Sequence, residues 1–272
     1  MSELSPYTRA RIERECAAAL RAAGVAGVLP TPLEAVREAA GVSLGAGLDA
    51  IPSAAGRVLG ALWFQERVLF VDGRQSAARR RFTEAHELSH AICPWHEAVL
   101  RLDTQAELFG GPSLGLEAEA NFGAGQLIFQ GGLFAAEAAR GECSLATPFA
   151  LAGGYGASRQ AAAHHFVESH EAARAMLVAG RWPGRDGCLP IWRSVESPAF
   201  RRRFGRFSDR VPGGRLGGDG PLADAIAGAR TTSEPVSARV TLTDRAGRQR
   251  HCATEVVNNR HCHLVFVAEI GR

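Results

Sequence analysis

The chain has no lysine: all 31 basic residues are arginines, and against 28 acidic residues they leave a net charge of only +3. Arginine throughout, beside abundant alanine and glycine, reflects a GC-rich coding sequence more than a special surface chemistry. A balance this small falls short of the basic bias of a dedicated nucleic-acid binder. The six cysteines (Cys16, Cys93, Cys143, Cys188, Cys252 and Cys262) never pair as CxxC. The start, MSELSPYTRARIERE, is polar and runs into an amphipathic helix rather than an export signal. Free thiols in the cytoplasm are therefore expected. No apolar run approaches the ~20 residues that span a bilayer, so no membrane segment is expected. Tyrosine is reduced to Tyr7 and Tyr155. There is no internal repeat and no long low-complexity tract.

What remains is ordinary globular composition, with 46% hydrophobic and 22% charged residues. At 272 residues the chain is too long for one average domain, and two or three are expected. Residues 5–24 carry helical periodicity through Ala10, Ile12, Cys16, Ala19 and Leu20, and a short helix follows Pro30-Thr31-Pro32. Residues 56–74 alternate as two antiparallel strands around a turn at 65–67. Ser76 is the expected N-cap of the next helix, which stops before Pro94. After a loop holding Gly110-Gly111-Pro112, a further helix is expected from about Leu116 to Gln130. Residues 133–178 are alanine-rich and read as almost wholly helical. From Leu189 onward the pattern turns β-like, with a turn at 244–247.

The most informative stretch is His86-Glu87-Leu88-Ser89-His90. Histidines at i and i+4 share one helical face, so both imidazoles can reach a single metal ion. Glu87 projects beside them, placed to take a proton from a water held at that metal. This is the zincin arrangement. A catalytic site needs a third protein ligand and an open position for water. Glu117-Ala118-Glu119-Ala120-Asn121 opens a helix 27 residues after His90. Glu117 and Asn121 share a face, a division of labour in which the glutamate binds metal and the later residue hydrogen-bonds a ligand histidine. Glu119 points about 160° away from them and is the fallback ligand. The hairpin offers an edge strand on which an extended substrate could lie. For the group that would stabilise an oxyanion, Tyr7, Tyr155, Arg81 and His96 stay equally open.

These residues carry a family resemblance. Phe82-Thr-Glu-Ala-His-Glu-Leu-Ser-His90, with Glu117-Ala-Glu-Ala-Asn121, Phe122 and Leu127, resembles the ImmA/IrrE metallopeptidases over roughly residues 5–132. Domain order extends the resemblance to the radiation-response members of that family. It implies an α+β multidomain protein: a zincin-like (gluzincin) metallopeptidase domain at 1–132, an all-α helix-turn-helix segment at 133–180, and a GAF-like α/β sheet domain at 181–272. It implies His86, His90 and Glu117 as metal ligands and Glu87 as catalytic base. The metal would be Zn²⁺ by affinity, with Mn²⁺ or Fe²⁺ entering by availability in cells. The implied activity is that of a site-specific metalloprotease. It would cleave a helix-turn-helix transcriptional repressor and so induce the radiation and desiccation DNA-damage response. The GAF-like domain would bind a small molecule of unknown identity. One departure stands out: the family's usual Phe-Ala after the EAN element is here Phe122-Gly123. Glycine in a helix interior costs about 1 kcal/mol relative to alanine.

Two other function classes compete. In the first, the helix-turn-helix outline at 148–167 reads DNA through Ser158, Arg159 and Gln160, although Arg159 is the only cation of that second helix. In the second, the protein is a sensor or scaffold whose metal is structural only. The seven arginines between Arg193 and Arg215 are expected as solvated loop charge. His164-His165 and His261-Cys262-His263 lack a further placed ligand, and packed or solvent-facing roles are expected for them.

Overall fold

The computed structural model describes residues 4–46, 58–103, 113–184, 187–211, 215–217, 220–232 and 234–270. Gly56 and the Gly110-Gly111-Pro112 loop lie outside them. The chain divides into two compact units, one of residues 1–134 with 152–158, the other of residues 135–151 with 159–272. None of the described helices is long and apolar enough to cross a membrane.

The first unit is mostly helical. Helix α1 (Pro6–Ala22) starts where the Ser5 hydroxyl accepts the Thr8 N–H at 3.0 Å, with Pro6 in the first turn. Its buried stripe is Ile12, Cys16 and Leu20. Helix α2 (Leu33–Ala39) precedes a small sheet of β1 (Ser43–Leu44), β2 (Gly60–Trp63) and β3 (Val68–Val71). The order is β1-β3-β2, with β3 parallel to β1 and antiparallel to β2, so β2 is an edge strand among the described residues. Helix α3 (Ala77–Ile92) carries HELSH and follows Ser76, whose side chain makes no capping bond. Pro94 then opens α4 (Pro94–Asp103), and α5 (Ser113–Phe129) follows. Tyr155 is buried here, its ring 5.6 Å from Phe129 and 5.2 Å from Phe134.

Helix α3 meets α5 at Gly123. A Cβ there would collide with Ser89 Oγ and stand 3.3 Å from the Ile12 side chain of α1. The Cys16 thiol of α1 lies 3.7 Å from the Gly123 carbonyl. Glycine at this position has a packing reason: it admits the Ser89 hydroxyl between two helix backbones.

The second unit begins with α6 (Gly132–Ala138), which straddles the division, α7 (Ala146–Ala152) and α8 (Arg159–Glu168). The rest is a six-stranded antiparallel sheet with α9 (Pro198–Phe204) and α10 (Pro221–Gly228). Its strands are β4 (Arg174–Gly180), β5 (Leu189–Glu196), β6 (Arg215–Leu216), β7 (Val236–Thr243), β8 (Gln249–Asn258) and β9 (Cys262–Glu269), in the order β6-β5-β4-β9-β8-β7. Ala175, Leu177, Val265 and Val267 pack on one face with Phe200, Phe204 and Ile226. On the other face Phe266 meets Phe166 of α8 at 6.0 Å. Central β4 and β9 are thus buried on both sides. This corrects the sequence reading of 133–178 as almost wholly helical. The apolar run Ala175-Met176-Leu177-Val178-Ala179 has no alternation because neither face of its strand meets water, and periodicity then cannot separate strand from helix. Edge strand β7, half solvated, alternates cleanly.

The hairpin between β7 and β8 turns where expected. The buried Asp244 carboxylate accepts the N–H groups of Ala246 and Arg248, both at 2.9 Å, and side-chain donors from Arg248 and Arg250 at 3.1 and 3.2 Å. Chiefly through the Arg248 backbone donor, against the cost of burial, its pKa is held down to about 2.

Gly123→Ala should lower the urea midpoint, since overpacking of about 1–3 kcal/mol outweighs the ~1 kcal/mol helix-propensity gain. Adding Ser89→Ala should recover part of the loss, because the hydroxyl is the colliding group. For Asp244 the folded pKa lies below the unfolded value of about 3.9, so its stabilisation is present above that value and fades as pH falls toward about 2. The thermal midpoint of Asp244→Ala should therefore sit below that of the unaltered protein at pH 7, with the gap closing on acidification over that window.

Candidate metal centre

Helix α3 sets two imidazoles one turn apart on one face, with ring centroids 5.0 Å from each other. Helix α5 brings Glu117 against them. Its Oε2 is 3.1 Å from His86 Nε2 and its Oε1 is 3.5 Å from His90 Nε2. The ligand atoms of the three side chains all lie within 4.8 Å of one another. Two imidazole nitrogens and a carboxylate oxygen converging at this spacing fit a divalent ion such as Zn²⁺.

The electrostatics fit three donors crowded around one point. Burial works against a charge on His86, but the Glu117 hydrogen bond and the Glu87 charge together lift its pKa above the ordinary value. Glu117 is held far below the usual carboxylate range, first by its hydrogen bond with His86 and then by that with His90. Asn121, one turn along α5, hydrogen-bonds the His86 ring and donates Nδ2 to the Glu117 carbonyl at 2.6 Å.

Glu87 lies beside this group with its pKa raised by burial, against the pull of His86 and His90. A carboxyl moved toward neutrality is better matched to taking and returning a proton. Its other neighbour is the edge strand. A Cβ at Gly60 of β2 would stand 2.7 Å from Glu87 Oε1, so a bare glycine lets the carboxylate lie against the strand backbone. Gly60 was not singled out by the sequence reading, though a glycine within a strand is a recognised sign of close approach.

The structure separates the remaining candidates. Glu119 is turned away from the three donors. Its Oε2 accepts the Trp95 indole N–H at 2.6 Å and is 3.1 Å from His96 Nε2. His96 is fully buried, with Nδ1 2.9 Å from His90 Nδ1. Burial, then the neighbouring His90, brings its pKa down to about 4. Arg81 donates to the Thr31 carbonyl. Tyr7 is exposed on α1 and Tyr155 is buried among phenylalanines. Cys93, three residues beyond His90, is kept a neutral thiol, its pKa pushed up to about 12 by burial.

In the second unit no further group of three metal-binding side chains occurs among the described residues. His165 and His263 are buried, the latter with Nδ1 2.9 Å from the Gly180 carbonyl, while His261 is exposed. Part of the arginine-rich stretch is tied down: Arg201 meets Glu196 at 2.8 Å and Arg203 pairs with Glu269.

Residues 47–166 match the protein family described as IrrE N-terminal-like domain, a peptidase family. That span takes in His86, Glu87, His90, Glu117 and Asn121. No curated protein matches the chain in sequence. Among solved structures a Mycobacterium tuberculosis transcriptional regulator is similar, with 11% identity and a TM-score of 0.53 over 98% of this chain and 89% of that one. At that identity the likeness is one of fold. The segment that holds the three converging donors is therefore similar to the ImmA/IrrE type of metallopeptidase domain, and the match supports a metallopeptidase.

Proposed function

We propose that the protein is a regulatory metalloprotease of the IrrE kind. It would use His86, His90 and Glu117 to hold Zn²⁺ and Glu87 as general base, and its substrate would be a helix-turn-helix transcriptional repressor. The observation that carries this reading is the convergence of the three donors beside a half-buried Glu87, within the segment that matches a peptidase family. Cleavage of the repressor would induce a radiation and desiccation damage response, as the family resemblance implies. The protein would act in the cytoplasm. Residues 1–132 would then supply catalysis, 133–180 the helix-turn-helix segment, and 181–272, completed by β4, a GAF-like sensor.

When bound, the ion supplies Lewis acidity, lowering the pKa of a coordinated water to about 7. The chain's own residues do the rest. Glu87, with its raised pKa, would accept the proton of the attacking water, hold it on a half-buried carboxyl, and return it to the leaving amine. Among the described residues strand β2 has no neighbour on its outer side, and an extended substrate segment could pair there. Gly60, with no side chain, lets the Glu87 carboxylate lie directly against that strand. Asn121 keeps the His86 ring oriented.

A DNA-reading role is less well supported. The Arg159 guanidinium lies over the Phe149 ring at 5.5 Å, and Gln160 meets Asn259 at 3.4 Å and Cys262 at 3.5 Å. Ala162, Ala163, Phe166 and Val167 of α8 are buried, so this helix is a packing element of the sheet unit.

The protease reading predicts that Glu87→Gln abolishes cleavage of a candidate repressor while the protein still takes up one equivalent of metal. Incubation with the repressor, mass mapping of fragments and metal analysis check both halves. If the variant still cuts the repressor, Glu87 is not the base. A purely structural ion would instead leave the unaltered protein without cleavage and unfold it on chelation.

A further inference from the structure

Behind the three donors runs a second chain of contacts that reaches α1. His90 Nδ1 is 2.9 Å from His96 Nδ1, and His96 Nε2 is 3.1 Å from Glu119 Oε2. The same Oε2 accepts the Trp95 indole N–H at 2.6 Å. The Arg11 guanidinium of α1 stands 3.7 Å from the centre of the Trp95 ring. His96 is fully buried, so no water competes for either of its nitrogens.

We propose that His96 and Glu119 are positioning residues which set the tautomer and ring orientation of His90 for metal binding, with Trp95 anchoring the outer end. The inference rests on His86, His90 and Glu117 being the metal site, and it assigns Glu119 a place behind that site rather than in it.

Counting protons along the contacts fixes the tautomers. A carboxylate only accepts, so the His96 nitrogen facing Glu119 must carry the hydrogen. In neutral His96 the other nitrogen, Nδ1, then presents a lone pair. Two imidazole nitrogens 2.9 Å apart need one proton between them, which must therefore sit on His90 Nδ1. With an ion bound, Glu117 would become a fellow ligand instead of accepting a hydrogen from His90 Nε2, 3.5 Å away, and the His90 lone pair would be left on Nε2. The opposite tautomer would put a hydrogen on Nε2 and take His90 out of the donor set. A metal-binding histidine usually donates its second N–H directly to a carboxylate or carbonyl. Here an imidazole is interposed, and the carboxylate is one residue removed.

Local structure accounts for the placement. Cys93 leaves the helical conformation at the end of α3, and Pro94 opens α4. The His96 N–H closes this turn on the Cys93 carbonyl at 2.9 Å. The bend brings His96 to His90 and Trp95 to Glu119. Glu119, two residues after Glu117 on α5, points to a different side of that helix. The two ligand histidines are thus oriented separately, His86 by Asn121 and His90 by His96.

The test uses the full chain, stripped of metal and titrated with Zn²⁺ against a chromophoric chelator. Co²⁺ substitution supplies a visible spectrum, and nitrogen NMR of the Zn²⁺-loaded protein reports the His90 tautomer. The unaltered protein should bind one Zn²⁺ and show the hydrogen on His90 Nδ1. His96→Phe should weaken Zn²⁺ by about 10- to 100-fold and shift the Co²⁺ spectrum. Should that variant fail to fold, Glu119→Gln keeps the side-chain shape and should still weaken Zn²⁺ measurably without lowering the thermal midpoint to match. A hydrogen found on His90 Nε2 would overturn the relay. So would variants that bind Zn²⁺ as tightly as the unaltered protein with the same Co²⁺ spectrum. If the unaltered protein takes up no Zn²⁺, or binds it equally well after His86→Ala, the metal reading itself fails, and the relay with it.

Discussion

The candidate centre depends on how closely α3 and α5 approach. His86 and His90 come from one helix and Glu117 from the other, so three donor atoms converge only if the two backbones pack with little between them. Gly123 permits this: it receives the Ser89 hydroxyl where any Cβ would collide, and Ile12 and Cys16 of α1 close over the same point. Ser89 lies inside HELSH itself, adjacent to His90, and Gly123 is two residues beyond Asn121. The residues that set helix separation are thus interleaved with those that carry the chemistry, and an error in packing would be felt directly as an error in donor spacing.

Around that contact the ionisable groups of the site face one another. Glu117 faces both imidazoles, Asn121 contacts the His86 ring, His96 meets the Nδ1 side of His90, and burial raises the pKa of Glu87 while the two histidines pull it down. Buried polar groups are costly unless they are partnered, and here partnering and orientation are the same event. The edge strand adds the remaining constraint, because Gly60 brings the β2 backbone against the carboxyl that would move the proton.

Much of this was legible in the sequence, and what was not has physical reasons. The i, i+4 histidines, the face shared by Glu117 and Asn121, the β2–β3 hairpin and the turn at Asp244 all follow from local periodicity or turn chemistry. Strand β4 was misread because a strand buried on both faces loses its alternation. The role of His96 was invisible because it depends on a bend at Cys93 and Pro94 that brings a residue six positions on back under its own helix. Gly123 looked like a mild defect in isolation, and its reason is the Ser89 hydroxyl on another helix. Glu119 was recognisable as pointing away from Glu117, but nothing local said what it pointed toward.

The central claim is that one ion is held by two imidazole nitrogens and one carboxylate, with the fourth position open. X-ray absorption at the metal edge of the Zn²⁺-loaded protein tests it most directly. The account predicts two nitrogen scatterers of imidazole type and two oxygens, one from Glu117 and one from water, at about 2.0–2.2 Å. A third imidazole, which would be His96, or a sulfur at about 2.3 Å, which would be Cys93, would contradict it.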